Sequence, residues 1–158
     1  MIQQELPRWV FASVSKHFNA IATVAFPMFV EGQPRDTKDL DQFFELRMDG
    51  PWFTELSKNY WRIYFEVNIL VSTTINETNF HRIHSNVGVV AAKFTEIQVF
   101  KYGTGVNDDD SLFGCFKLLQ DSRNREILKI FHFGQIDDTT KLTQASIEGH
   151  YELDKEIS

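Results

Sequence analysis

Disulfides, a membrane segment and a basic surface are all missing from this sequence. Its single cysteine, Cys115, cannot pair within the chain, and the apolar neighbours of that cysteine predict a buried thiol. No basic segment precedes an apolar run, and the longest early apolar stretch, residues 20–30, contains Pro27 and is too short to cross a bilayer. The formal net charge of −6 argues against a general nucleic-acid binder. We expect a soluble protein made in a reducing compartment.

Motifs of catalysis and metal binding are also missing. His81 and His84 are spaced to share a metal ion, but no third ligand follows at a usual interval. The three consecutive aspartates 108–110 lack the alternating ligands of a calcium loop. We find neither a nucleophile elbow nor a glycine-rich phosphate loop. The sequence therefore predicts no metal, no cofactor and no catalytic residue.

Apolar residues, by contrast, are plentiful. With 158 residues and 42% hydrophobic content, the chain can form one domain, residues 1–158, with a sizeable core. Fifteen phenylalanines favour a sheet whose faces are filled by aromatic rings.

The clearest pattern is a long alternating strand at residues 61–72. Its odd positions from Trp61 to Val71 are all apolar, whereas its even positions include Arg62, Glu66 and Asn68. A period of two with one apolar face predicts a strand that covers a core on one side.

Two amphipathic helices are predicted, near residues 7–25 and 79–94. Pro7 suits the first position of the first helix, and Thr78 or Asn79 could cap the second. The apolar positions recur every three or four residues: Val10, Val14, Phe18, Ile21 and Ala25 in the first helix, and Phe80, Ile83, Val87, Val90 and Phe94 in the second.

The remaining strands complete the fold class. We predict further strands at residues 28–31, 43–49, 96–102, 112–120, 127–136 and 144–153. A turn at Gly50-Pro51 is predicted to end strand 43–49, and a hairpin-like turn at residues 121–124 is predicted to join strand 112–120 to strand 127–136. Strand 96–102 is apolar on both faces, which predicts a central position. The order of helix, three strands, helix and four strands predicts an α+β fold, with a mostly antiparallel sheet and both helices on one face.

Three segments could contact a partner. The stretch Gly103–Ser111, with Asp108, Asp109 and Asp110, cannot bury its carboxylates and must lie in water or against another molecule. A charged connection contains Arg35 and Asp36. Trp52 and Phe53 fall at a predicted loop tip, where they either cover the edge of the core or contact a partner.

The order of elements resembles that of the tail-terminator proteins of long-tailed bacteriophages. The likeness lies in FEVNILVSTTINETNFHRIHSNVGVVAAKF and ILKIFHFGQIDDTTKLTQASIEGHYELD, as a pattern and not as a fixed motif. The resemblance implies a non-enzymatic virion protein, made in the host cytoplasm. Such a protein forms a hexameric ring between the tail tube protein and the head-side connector, stops tube growth and leaves a channel for DNA. Asp108, Asp109 and Asp110 would then face the lumen or the adjoining ring, or else lie on the outer wall.

Two other classes remain open. A cup that binds a small ligand or lipid would use the same phenylalanine-rich face as its wall. A hydrolase or isomerase built on such a cup would need converging polar groups, for which His132 with Asp137 or Asp138 are the candidates.

Overall fold

The computed structural model confirms the predicted order of helices and strands. It describes residues 2–34, 36–37, 39–75, 78, 80–103, 109–119, 127–137 and 141–157. The elements are α1 (Ile2–Asn19), β1 (Met28–Val30), β2 (Gln42–Ser57), β3 (Tyr60–Thr74), α2 (Arg82–Ala92), β4 (Ile97–Phe100), β5 (Leu112–Leu119), β6 (Leu128–Asp137) and β7 (Leu142–Glu156). Within these ranges, neither helix has the length and hydropathy needed to cross a membrane.

One seven-stranded sheet organises the described part of the chain. Its strands follow the order β1-β2-β3-β7-β5-β4, and β6 also pairs with β7. The predicted α+β class is confirmed. The sheet is mixed, because β1 runs parallel to β2 while the other pairings are antiparallel.

The alternating pattern of β3 places the core. Ile63, Phe65, Val67, Ile69 and Val71 are all fully buried, as the odd-numbered face was predicted to be. They belong to one hydrophobic cluster that also contains buried side chains of both helices, among them Phe18 of α1 and Ile83 and Val87 of α2. The two helices and the sheet therefore share a single core.

The pairing of β5 and β6 differs from the predicted hairpin. Both strands pair with β7: β6 along residues 142–149 and β5 along residues 150–152. The far edge of β7 is thus divided between two strands. This division is possible because β7 presents a continuous buried row, Ala145, Ile147, Gly149 and Tyr151, on which either strand can continue the core. The predicted turn, residues 121–124, lies outside the described residues.

Strand β4 lies at the edge of the sheet, so the predicted central position is wrong. Its apolar second face is explained by α1, which packs beside it: the backbone N–H of Phe100 donates a hydrogen bond to Ser13 Oγ at 3.0 Å. Ile97 and Val99 point into the core. Helix α1 lies where a further strand of the sheet would otherwise pair with β4.

The predicted turn at Gly50-Pro51 is also wrong, because β2 continues through it. These two residues form a cis peptide bond inside the strand. The register between β2 and β3 shifts from Asp49 to Trp52, and pairing resumes with Trp52 opposite Tyr64. A bulge can absorb extra residues in one strand of an antiparallel pair without ending it.

Helix α1 begins and ends earlier than predicted. Pro7 lies inside the helix, and Trp9, which falls off the predicted stripe, is fully buried. The chain leaves the helix after Asn19 because Thr23 and Phe26 exchange backbone hydrogen bonds of 3.1 and 3.2 Å and form a tight turn. Ala25, predicted on the buried stripe, is therefore exposed.

Helix α2 is shorter than predicted at both ends. Its N-cap is His81, with no side-chain capping bond, whereas Thr78 lies in a turn and Asn79 is outside the described residues. Phe80, predicted on the buried stripe, precedes the helix and is 53% exposed. Phe94 follows the helix and is buried against Phe18, with ring centroids 5.0 Å apart.

We predict that Phe65→Ala lowers the free energy of unfolding by about 3–5 kcal/mol, the usual cost of truncating a buried phenylalanine. The Phe65 ring stacks on Tyr151 at 5.3 Å and contacts Phe116 at 5.0 Å, so its removal leaves a cavity. Denaturant unfolding followed by circular dichroism measures the change. Phe80→Ala makes the same chemical change at an exposed ring and should cost less than about 1 kcal/mol. Equal costs for the two variants would contradict the assigned core.

Candidate functional site

Among the described residues, the largest group of exposed apolar side chains lies along β6. Five residues are between 43% and 56% exposed and form what we call the β6 surface: Ile127, Ile130, Phe131, Phe133 and Ile136. Isolated exposed apolar side chains are normal in proteins, but a contiguous set marks an interaction site. The β6 surface is the strongest candidate for a functional site on this chain.

The topology explains why β6 is open. Among the described strands, β6 pairs only with β7, so its other edge carries no partner strand. Ile130 lies opposite Ile147 on the core-facing side, whereas Phe131 lies opposite Ser146 on the other side. Apolar side chains therefore project from both faces of an edge strand, where a monomer would place polar ones.

Irregular pairing shapes the β6 surface further. The register with β7 shifts between His132 and Gly134 and again between Gln135 and Asp137, and Gly134 has a φ of 73°. Such bulges prevent a long flat edge from pairing indiscriminately with other strands. A partner would consequently be held mainly by packing against side chains.

The exposed area of the β6 surface is substantial. Taking about 200 Å² for each whole side chain, the exposed fractions leave roughly 450–500 Å² accessible. Summed over both faces of β6, this area is comparable to the roughly 300–600 Å² of the largest apolar patch on a typical monomer, which is often functional. It is also more than half of the roughly 800 Å² that one partner buries in a standard interface.

A second exposed group lies at the far end of the β2–β3 hairpin. It comprises four side chains between 38% and 43% exposed, which we call the hairpin tip: Trp52, Leu56, Tyr60 and Tyr64. The rings of Trp52 and Tyr64 lie 5.2 Å apart on the polar face of the sheet. Charges border them, because Arg62 forms ion pairs with Glu152 at 2.5 Å and Asp154 at 3.0 Å.

Trp52 and Phe53, predicted together at a loop tip, are instead neighbours within β2 that point to opposite faces. Trp52 is exposed, whereas Phe53 lies opposite Ile63 and packs against the core. Each of the two predicted alternatives, contact with a partner and cover for the edge of the core, therefore applies to one of the two residues. Trp52 remains a candidate partner contact, and Phe53 covers the edge of the core.

Hydrogen bonds hold the C-terminal end of the stretch Gly103–Ser111, at Asp109 and Asp110. Asp109 accepts bonds from the Ser111 backbone N–H at 3.0 Å and the Ser111 hydroxyl at 2.5 Å. The backbone N–H groups of Asp109 and Asp110 donate to Lys101 O at 3.1 and 2.8 Å. Both aspartates are exposed, and the hydrogen bonds from Ser111 hold the pKa of Asp109 below its ordinary value. Asp108 lies outside the described residues.

Of the two charged residues predicted in the connection, Asp36 is exposed. Arg35 lies outside the described residues. Cys115, predicted buried, is half-buried, because Phe113 and Phe116 occupy the core-facing positions of β5. Burial raises the pKa of the Cys115 thiol.

His81 and His84, which are spaced to share a metal ion, each contact a different aromatic ring. The ring of His84 contacts His132 of β6, with centroids 4.9 Å apart, while His81 contacts Phe80. The side chain of Asp137 and all of Asp138, the predicted companions of His132, lie outside the described part of the structure.

The polar face of the sheet carries a group of titratable side chains that was not predicted from the sequence. His150 Nδ1 is 3.3 Å from Glu66 Oε1, and His150 Nε2 is 3.4 Å from Glu148 Oε1. Within the described ranges, these three residues form a group whose potential metal-ligand atoms lie within 4.8 Å of one another. Cross-strand pairing brings them together, with Glu66 opposite His150, and no sequence spacing indicated it.

A groove lies between α1 and β4. Its volume is about 270 Å³, and its lining is polar apart from two aromatic rings: Ser13, Lys16, His17, Glu96, Gln98, Phe100 and Tyr102. An adjoining hollow of about 380 Å³ shares Lys16, Phe100 and Tyr102. Ligand sites usually occupy about 300–1,000 Å³ and are mostly apolar. The groove is thus at the small and polar end of that range.

Comparison with the models of known protein families and with curated protein sequences finds no match.

We predict that Ser111→Ala raises the pKa of Asp109 towards its ordinary value, because the hydroxyl hydrogen bond that favours the carboxylate is lost. Since the folded pKa is depressed, this contact stabilises the fold above the unfolded pKa and is lost as the pH falls through the folded pKa. A carbon-detected NMR titration of the Asp109 carboxyl group measures the shift. Ser57→Ala, at the exposed end of β2, should leave the titration unchanged. An unaltered Asp109 pKa in Ser111→Ala would contradict the assigned bond.

Proposed function

We propose that this chain is a structural subunit that assembles with identical copies into a ring. We further propose that this ring lies at the head-proximal end of a long-tailed phage tail, where it ends tube growth and joins the tail to the head-side connector. The observation that carries the proposal is the β6 surface, an edge strand with exposed apolar side chains on both faces.

The gross hydrophobic gain from covering this surface is comparable to the cost of association. At about 25 cal/mol per Å², covering 450–500 Å² gives a gross gain of roughly 11–12 kcal/mol. Association costs an estimated 4–15 kcal/mol in lost translational and rotational freedom. The β6 surface alone is therefore close to break-even, and a stable assembly needs the partner's apolar area as well.

The resemblance to tail terminators supplies the identity of the assembly. In that reading the tail tube protein and the head-side connector lie on either side of the ring, and DNA passes through without being bound. The net charge of −6 supports this role, because an acidic lining cannot form the counterion-releasing contacts that hold DNA. Asp109 and Asp110 are exposed and available to such a lining.

The cup alternative is less well supported. Its wall would be the phenylalanine-rich face of the sheet, but that face is packed against both helices: Phe44, Phe65, Phe116, Phe18 of α1 and Ile83 of α2 belong to one cluster. The groove beside β4 is small and its lining is mostly polar, and the adjoining hollow of about 380 Å³ is lined by Lys16 and Asp110 as well as by Phe100 and Tyr102. A binding protein of this kind would not need the exposed β6 surface.

We predict that the wild-type protein is multimeric in solution and that replacing Phe131 and Phe133 by Asp makes it monomeric. Two charges on an edge strand oppose the burial of the β6 surface without altering the core, since both rings are at least half exposed. Light scattering coupled to size-exclusion chromatography gives the mass of each species.

Phe80→Asp is the matched control, because Phe80 is exposed to a similar extent but lies outside the β6 surface and the hairpin tip. This variant should assemble like the wild type. A wild-type protein that stays monomeric alone and with its tail partners would contradict the proposal, as would unchanged assembly of the double variant.

We also predict that changing Asp108, Asp109 and Asp110 to Asn leaves folding intact but reduces DNA passage or the joining of tail to head. If these residues face the lumen, identical subunits repeat their charges around the axis and repel phosphates within about 8 Å at physiological salt. Infectious titre and DNA ejection of particles carrying the variant measure the effect. Normal titre and ejection would place the acidic stretch on the outer wall.

A further inference from the structure

We infer that the β6 surface of one copy packs on the hairpin tip of the next copy, so that the subunits associate head to tail. This inference rests on the proposed function and names the partner of the β6 surface as a different surface of a second copy. The observation behind it is that nine of the fourteen large apolar side chains exposed on the described residues fall into two sets, on β6 and at the hairpin tip, while the other five lie elsewhere: Phe11, Val24, Phe80, Val89 and Leu112.

The two sets are centred on different parts of the same molecule, and Ile127 is the member of the β6 surface nearest to the hairpin tip along β7. On β7, Phe131 is opposite Ser146, whereas Tyr64 and Tyr60 are opposite Glu152 and Glu156. These positions are six and ten residues further along the strand (152 − 146 and 156 − 146), or about 20 and 33 Å at 3.3 Å per residue. Moreover, β6 and β3 pair with opposite edges of β7. A single contact with one neighbouring copy therefore covers one set and leaves most of the other set exposed.

Two distant, dissimilar surfaces favour a heterologous contact. A two-fold dimer that brings one set against itself leaves the other set exposed, and a two-fold dimer that packs each set on the other must hold both sets in a single interface. A head-to-tail contact covers both sets in every subunit, and it closes into a ring when the rotation between subunits allows. In this arrangement each subunit buries its β6 surface against one neighbour and its hairpin tip against the other.

The areas and chemistry of the two surfaces agree with such a contact. The hairpin tip exposes roughly 300 Å² by the same measure of about 200 Å² per side chain. Together with the β6 surface this gives about 750–800 Å² of apolar area, around half of the roughly 1,600 Å² total of a standard interface. Aromatic residues in the centre with charged residues at the rim are typical of interfaces, and Arg62, Glu152 and Asp154 supply such a rim.

The test uses two variants that each lose one surface. The β6 variant carries Phe131→Asp and Phe133→Asp, and the tip variant carries Trp52→Asp and Tyr64→Asp. Each alone should be monomeric. In an equimolar mixture, the intact β6 surface of the tip variant can pack on the intact tip of the β6 variant. The mixture should therefore form a dimer with one copy of each, twice the monomer mass, and should grow no further.

Folding of each variant is checked by circular dichroism and thermal unfolding, and Leu56→Asp with Tyr60→Asp replaces the tip variant if the latter is unfolded. A tip variant that assembles like the wild type would overturn this inference and leave the proposed ring intact. Two monomeric variants that stay monomeric when mixed would likewise overturn it. A wild type that stays monomeric both alone and with its tail partners would instead contradict the proposed function itself.

Discussion

The pairing of β3 with β7 is the interaction on which the rest of the structure depends. The two strands are in register over fifteen residues, from Tyr60 opposite Glu156 to Thr74 opposite Leu142. A shift by one residue would move every apolar side chain of β3 from the core to the other face. Both helices pack on the face that this register buries, and β2 follows the same alternation along the opposite edge of β3.

The proposed function follows from how β7 uses its second edge. Because β5 and β6 divide that edge, each pairs over only part of β7, and β6 is left without a second partner strand in the described structure. Its exposed phenylalanines and isoleucines are the consequence. At the other end of the long strands, Trp52 and Tyr64 lie on the face of the β2–β3 hairpin opposite to the one that the helices cover, and both are exposed. One sheet therefore carries two apolar surfaces that the protomer cannot cover.

Local patterns in the sequence predicted the parts of the fold that are local in origin. The alternation of β3 and the three- and four-residue spacing in α2 identified buried residues such as Phe65 and Val87. Long-range pairing could not be predicted in this way. Gly50-Pro51 reads as a turn, yet pairing with β3 carries β2 through it. The partners of β6 and the approach of Glu66 to His150 depend on which strands meet. The one local signal for the β6 surface is that apolar residues occupy both odd and even positions of residues 127–136, and the prediction of a strand there made no use of it.

Electron microscopy of the purified protein, alone and with a tail tube, tests the central claim most directly. We expect closed rings of uniform diameter with an axial opening, seated at one end of the tube. Particles of monomer size in both samples would contradict it. Open filaments without closure would show that the subunits associate but do not form the ring on which the proposed function depends.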